Sequence, residues 1–177
     1  MIKTKGINHV ALVCRDMKET VRFYTEVLNM PLFKTVEFPG GGQHFFFDCG
    51  GGAAVAFFWW EDGPPAAPGI ASVKSFPGEA KTAVGSMNHL AFEMAEEELE
   101  ASLQRLEEAG VPHTHAVVNH DDSPMGVARE KHDGVFVRSV YFTDPNGIML
   151  EFAATTKSFG PEDVAHEPAT AADRVEA

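Results

Sequence analysis

An alternating pattern of apolar and polar positions near the start of the chain returns in its second half. Residues 7–13 and 87–93 both have the pattern of a half-buried strand. Each carries an Asn-His pair at the same place, so that His9 and His89 lie 80 positions apart. A repeat of this length indicates a chain built from two similar modules.

The first strand is followed by a pattern that predicts an amphipathic helix. Met17, Val21 and Tyr24 recur at the spacing of one helix face. Asp16 stands at the N-cap position with Glu19 three residues later, which is the pattern of a capping box. We therefore expect a helix that begins directly after Asp16 and packs its apolar side against the strands.

The second strand leads into a matching helical pattern. Leu99, Leu103 and Leu106 fall on one face, and Gly110 stands where a helix commonly ends in a left-handed residue. The two halves of the chain therefore agree in their helices as well as in their first strands.

Both modules end in strands that are joined by turns. In the second module the turn is Asp144-Pro145-Asn146-Gly147, in which Pro fixes its own φ and Gly accepts a positive φ. The predicted fold is therefore α+β and built from two βαβββ modules. We assign a single domain to residues 1–153, with modules at about 5–60 and 84–153, a linker at 61–83, and an acidic tail at 154–177 that we expect to be flexible.

Three polar residues stand on strands that are otherwise apolar. Because side chains alternate across a strand, we expect His9, His89 and Glu151 to face away from the helices. Taken singly, each has an ordinary alternative as a core histidine, a surface histidine or a solvent-facing glutamate. Their agreement in face, type and position in the repeat favours a divalent metal site, because an isolated buried carboxylate is costly.

Composition and charge restrict the classes of partner. The 177 residues include 14 Lys and Arg against 26 Asp and Glu, a net charge of −12. This charge argues against nucleic acid or an anionic membrane surface as a partner. Two cysteines, Cys14 and Cys49, are too few for a disulfide framework, and no signal peptide or membrane-spanning run is visible. We therefore expect a cytoplasmic location.

The two modules, the Phe-Tyr pair at residues 23–24 and the segment 144–151 resemble the vicinal-oxygen-chelate superfamily. That superfamily includes glyoxalase I, type I extradiol dioxygenases, fosfomycin-resistance transferases and metal-free bleomycin-binding proteins. The resemblance covers residues 5–153. It implies an incomplete β-barrel around a metal site, commonly within a homodimer.

The resemblance also indicates a branch of the superfamily. Glyoxalase-like members carry a fourth protein ligand, but residues 53–58 offer none, whether the repeat aligns Glu151 with Val55 or with Phe57. Two histidines and one glutamate that leave coordination positions of the metal open are the ligand arrangement of non-haem Fe(II) oxygenases. Tyr141 precedes Glu151 by ten residues and His132 precedes Tyr141 by nine, as in extradiol enzymes.

The resemblance therefore implies a ring-cleaving dioxygenase that acts on a catechol-like aromatic substrate with O2. Fe(II) is the expected metal, with Mn, Zn, Ni or Co as alternatives. Tyr141 would hydrogen-bond a substrate oxygen, and His132 would act at the oxygen site or donate a proton. Aromatic residues would wall the ring pocket or, on the alternative interpretation, simply pack the core; the candidates are Phe45, Phe47, Phe57 and Trp59.

One expected feature of the two-domain extradiol enzymes is absent. They carry an acid–base histidine shortly upstream of the second metal histidine, and this chain has none between His44 and His89. His113, His115 or His120 would have to supply that role, or the chemistry differs. The alternatives are a metal-dependent lyase or isomerase, a fosfomycin-type thiol transferase, and a non-enzymatic protein that binds a small molecule.

Overall fold

The first module is a four-stranded mixed sheet with one helix against it. Its strands lie in the order β1-β4-β3-β2, and the first and last strands of the module pair in parallel. The elements are β1 (His9–Val13), α1 (Met17–Arg22), β2 (Leu32–Phe38), β3 (Gly42–Asp48) and β4 (Ala54–Trp60).

The second module repeats this plan with one short additional strand. The order is β5-β9-β8-β6-β7, and again the first and last strands of the module are parallel neighbours. The elements are β5 (Leu90–Glu93), α2 (Leu99–Glu108), β6 (Val118–His120), β7 (Val127–Ala128), β8 (Val137–Thr143) and β9 (Met149–Thr155). The predicted α+β fold of two βαβββ modules is confirmed, and the two sheets form no closed barrel in the part of the chain described.

The computed structural model describes residues 2–66, 82, 84–164 and 166–171. The predicted linker therefore lies mostly outside the described residues, as do position 165 and positions 172–177 of the predicted tail. The last strand, β9, extends to Thr155 and so takes in the first residues assigned to that tail. In the described ranges no helix is long and apolar enough to cross a membrane.

Helix α1 begins where its capping residue predicts. The carboxylate of Asp16 accepts a hydrogen bond from the backbone N–H of Glu19 at 2.9 Å. After Arg22 the helix widens into a π-helical turn at Phe23–Val27, which the apolar spacing did not predict. This turn buries the rings of Phe23 and Tyr24.

The core lies between the helices and one face of each sheet. Tyr24 is fully buried, with ring centroids 5.3 Å from Phe47 and 4.9 Å from Phe57. On the second sheet Leu150 and Phe142 are buried in the same cluster. Because one face of each sheet is covered in this way, the opposite face is left to carry the polar strand residues.

The Asp-Pro-Asn-Gly turn joins the two modules. Asp144 is 5% exposed, and its Oδ1 accepts backbone hydrogen bonds from Asn146 and Ile148, each at 2.8 Å. Its Oδ2 lies 3.5 Å from the Tyr24 hydroxyl, and Asn146 Oδ1 accepts from the backbone N–H of Arg15 at 2.9 Å. Burial raises the pKa of Asp144, while the hydrogen bonds that its own carboxylate accepts oppose that rise. The turn therefore anchors the second module to helix α1.

Replacement of this anchor should destabilise the fold. Asp144→Ala leaves buried N–H donors without an acceptor, so we expect a loss of about 3 kcal/mol in the free energy of unfolding, measured with urea. Asp48→Ala is the matched control, because Asp48 is an exposed residue at the end of β3 that accepts one backbone hydrogen bond, from Gly50. Equal losses in the two variants would contradict a special role for Asp144.

Candidate metal centre

Two of the three predicted metal ligands meet on the open face of the second sheet. His89 directly precedes β5, and Glu151 lies on the neighbouring strand β9 opposite Ala91. Nε2 of His89 lies 2.9 Å from Oε2 of Glu151. Tyr141 stands opposite Glu151 in the antiparallel register of β8 and β9, so its side chain emerges on the same face.

Glu151 is buried but fully hydrogen-bonded. It is 5% exposed, and its second oxygen, Oε1, accepts a hydrogen bond from the Ser139 hydroxyl. Burial alone would raise the pKa of Glu151, but the contacts with His89 and Ser139 outweigh it and lower the pKa. The carboxylate is therefore ionised at neutral pH. Ser139 was not among the predicted site residues, although it shares the strand face of Tyr141 two residues away.

Each module orients its histidine with the asparagine that precedes it. Nδ1 of His89 lies 2.7 Å from Oδ1 of Asn88, and Nδ1 of His9 lies 2.8 Å from Oδ1 of Asn8. An amide oxygen can only accept, so Nδ1 carries the proton in both rings. In the neutral form of each ring the lone pair therefore resides on Nε2, the atom that would bind a metal.

The His89 and Glu151 pair fits a divalent ion. A protonated Nε2 donates to Oε2 in an ion pair, and the hydrogen bond to Glu151 raises the pKa of His89 against the effect of burial. A deprotonated Nε2 and the carboxylate are both metal ligands. Their 2.9 Å separation suits two neighbouring ligands of one ion, since each metal–ligand bond is about 2.1 Å.

His9 lies on the open face of the other sheet. It is exposed on β1, where it aligns with Ala54 of the parallel strand β4. Across the described ranges, no three His, Cys, Asp or Glu side chains lie close enough to share an ion. A single copy of the chain therefore presents His9 apart from His89 and Glu151.

Strand register identifies the first-module counterpart of Glu151. Ala91 pairs with Glu151, and Ala11, the repeat equivalent of Ala91, pairs with Ala56. The counterpart is therefore Ala56, and the alignment with Val55 or Phe57 expected from the sequence was wrong by one residue. An alanine side chain has no ligand atom, so this position of the first module offers no fourth ligand.

The predicted pocket aromatics lie on the helix side of the first sheet. Phe47 and Phe57 are fully buried beside Tyr24, and the Trp59 indole donates a hydrogen bond to the Arg15 carbonyl at 3.1 Å. Phe45 packs against the same core. These four residues therefore have the contacts of core packing, which was the alternative interpretation of them.

A different aromatic set covers the face that carries His9. His44 stacks on Phe58 at 3.6 Å between ring centroids, and Phe58 stacks on Trp60 at 5.4 Å. Phe46 meets the His9 ring edge-on at 5.7 Å. Strand alternation could have predicted these residues. It required following the face of His9 from β1 to its neighbour β4 and from β4 to β3.

Tyr141 has a histidine partner within the site. Its hydroxyl lies 3.1 Å from Nε2 of His120, and its ring lies 5.6 Å from the His89 ring. Burial and the nearby Glu151 charge raise the pKa of Tyr141 to about 12. Tyr141 is therefore a protonated hydroxyl at neutral pH and a hydrogen-bond donor.

The predicted catalytic residue His132 lies in the loop between β7 and β8. Its Nε2 is 3.2 Å from Oδ2 of Asp121, and its Nδ1 accepts a hydrogen bond from the backbone N–H of Gly134 at 3.0 Å. About half of its side chain is exposed. The histidine within hydrogen-bond distance of the Tyr141 hydroxyl is His120, and the role of His132 at the oxygen site stays a prediction.

One protein-family model matches the whole two-module unit. The model described as Glyoxalase/Bleomycin resistance protein/Dioxygenase superfamily matches residues 6–152. The chain belongs to this superfamily. The match contains both modules and His9, His89 and Glu151, and superfamily members typically bind a divalent metal ion.

A curated relative gives a short sequence match. "Putative ring-cleaving dioxygenase MhqE" from Bacillus subtilis (strain 168) is 50% identical over 42 residues, which are 23% of this chain and 14% of the relative. The chain thus matches only a small part of that relative's length.

Solved structures agree in fold over most of the chain. The structure of SMU.1112c has 27% identity and a TM-score of 0.60, and the match covers 85% of this chain and 99% of that one. FosX, a fosfomycin resistance protein from Listeria monocytogenes, has 19% identity and a TM-score of 0.56, and the match covers 88% and 96%. The FosX likeness shows the fold alone.

The asparagine contacts generate a prediction about metal binding. Asn88→Ala removes the acceptor that holds the proton on Nδ1 of His89, so we expect metal affinity to fall by about tenfold in isothermal titration with Mn(II). Asn146→Ala serves as a control, because that amide bonds the turn at Asp144 and not a histidine. Unchanged affinity in Asn88→Ala would contradict the orienting role.

Proposed function

We propose that this protein is a metal-dependent ring-cleaving dioxygenase of the extradiol type, acting on a catechol-like substrate with O2. The observation that carries the proposal is the His89 and Glu151 pair on an open sheet face beside the protonated hydroxyl of Tyr141. The counterpart Ala56 adds no fourth ligand, so coordination positions would remain for substrate and oxygen. The short match to a named ring-cleaving dioxygenase supports the same branch.

The third ligand would come from a second copy of the chain. His9 is exposed on the first sheet, and its Nε2 is the free ring nitrogen once Asn8 holds Nδ1. A two-fold symmetric homodimer can set the first sheet of one copy against the second sheet of the other. Each of its two equal sites would then combine His9 from one copy with His89 and Glu151 from the other.

The expected ion is Fe(II), and the chemistry that it supplies when bound is electron transfer between an electron-rich ring and O2. The site carries one ligand carboxylate, so a divalent ion would leave a net charge near +1. Such a charge favours a substrate that binds as an anion through its ring oxygens.

Side chains of this chain would handle the substrate protons. A substrate hydroxyl would give its proton to the Tyr141 oxygen while Tyr141 passes its own proton to Nε2 of His120, which lies 3.1 Å from the Tyr141 hydroxyl. Tyr141 would then donate a hydrogen bond to the deprotonated substrate oxygen. The contact with Tyr141 favours His120 among the three acid–base candidates, since the ring of His113 is held by the Val111 carbonyl at 2.7 Å. His132 stays a predicted proton donor at the oxygen site.

Oxygen uptake tests the reaction. We expect full-length protein loaded anaerobically with Fe(II) to consume O2 when mixed with a member of a panel of catechols and hydroquinones. His89→Ala should abolish uptake and His113→Ala should retain it, because His113 lies outside the proposed ligand set. Tight metal binding without any uptake would refute the dioxygenase and favour the lyase, isomerase or transferase alternatives, and absence of metal binding would favour a binding protein.

Tyr141→Phe separates the role of the hydroxyl from that of the ring. The substitution keeps the packing against His89 and removes one donor, so we expect turnover to fall by about a hundredfold. Iron content per chain, measured by elemental analysis, should stay at the wild-type level. Unchanged turnover would remove Tyr141 from the mechanism.

A further inference from the structure

A cleft opens on the first sheet directly beside His9. Its volume is about 420 Å³, within the range of small-molecule sites. It lies between strands β1, β2, β3 and β4 and the turn before β4. The side chains that shape it are Asn8, His9, Phe33, Lys34, Phe46 and Asp48.

Two phenyl rings form an apolar wall of this cleft. Phe46 contacts the His9 ring at an interplanar angle of 65°, and Phe33 contacts Phe46 with ring centroids 6.1 Å apart. Phe33 is 60% exposed, so its side chain is accessible from solvent at the cleft. Rings in these orientations offer edges and faces to a third aromatic ring.

Lys34 is the cation of this cleft. It pairs with Phe46 across β2 and β3, so it lies on the same sheet face as His9. It is the one Lys or Arg on that face among the four described strands, and its ammonium has no hydrogen bond or ion pair within the described residues. Asp48, the other charged residue of the cleft, accepts from the Gly50 N–H at 2.8 Å.

We propose that this cleft binds an aromatic substrate that carries a carboxylate group. The substrate ring would lie against Phe33 and Phe46, its carboxylate would reach the Lys34 ammonium, and its hydroxyls would point toward His9. The inference rests on the proposed function for the identity of the hydroxylated ring. The observation that carries the inference is the Lys34 ammonium beside a wall of two phenyl rings. A cation in this position is notable in a chain whose net charge is −12.

Anaerobic binding tests this substrate class without requiring turnover. Isothermal titration of the full-length Fe(II)-loaded protein would compare 3,4-dihydroxybenzoate with catechol, which lacks the carboxylate. We expect about tenfold tighter binding of the dihydroxybenzoate, the range for a charge-assisted hydrogen bond. Lys34→Met should remove this difference and leave catechol binding unchanged, while Lys18→Met, on an exposed position of α1, should change neither affinity.

The remaining outcomes separate this inference from the proposed reaction. Equal affinities for the two compounds, no binding of either, or an unaffected Lys34→Met variant would overturn the carboxylate site. Lys34-dependent binding of fosfomycin, an anion without an aromatic ring, as tight as that of dihydroxybenzoate would overturn the aromatic requirement. Lys34-dependent dihydroxybenzoate binding without O2 uptake once air is admitted would support the cleft and refute the dioxygenase.

Discussion

A buried carboxylate is the constraint on which the candidate centre depends. Glu151 lies between the core residues Leu150 and Phe152 on β9, where an ionised side chain without partners would be strongly unfavourable. Two contacts offset this cost: His89 lies against one carboxylate oxygen, and the Ser139 hydroxyl donates a hydrogen bond to the other. The same register that supplies these contacts places Tyr141 opposite Glu151. The stability of the strand and the chemistry of the site therefore require the same arrangement.

The two modules repeat one design but contribute unequally. Both hold a histidine through the preceding asparagine, yet the second has a carboxylate where the first has Ala56. The first module instead offers an open aromatic face and a cleft with a free cation. A complete centre on this account needs the ligand pair of one sheet and the histidine and cleft of the other, which gives the chain a physical reason to dimerise.

Local patterns predicted the modules because strand alternation, helix caps and turns are encoded within a few residues. They placed His9, His89 and Glu151 on the faces away from the helices, and Asp16 at its cap. They did not distinguish His120 from the other candidate histidines, because its contact with Tyr141 depends on the long-range pairing of β6 with β8. Residues of the helix side were predicted as pocket aromatics for a similar reason, since the registers of β3 and β4 are what relate their faces to His9.

Mixing two inactive variants tests the shared centre most directly. His9→Ala and His89→Ala homodimers would be dissociated, combined in equal amounts and reassociated, and bound metal would be measured per chain. If the site is shared between copies, half of the dimers are mixed and each holds one intact site, so metal binding returns to about a quarter of the wild-type level. Metal binding that stays at the level of the separate variants would contradict a centre built from His9 of one copy and His89 and Glu151 of another.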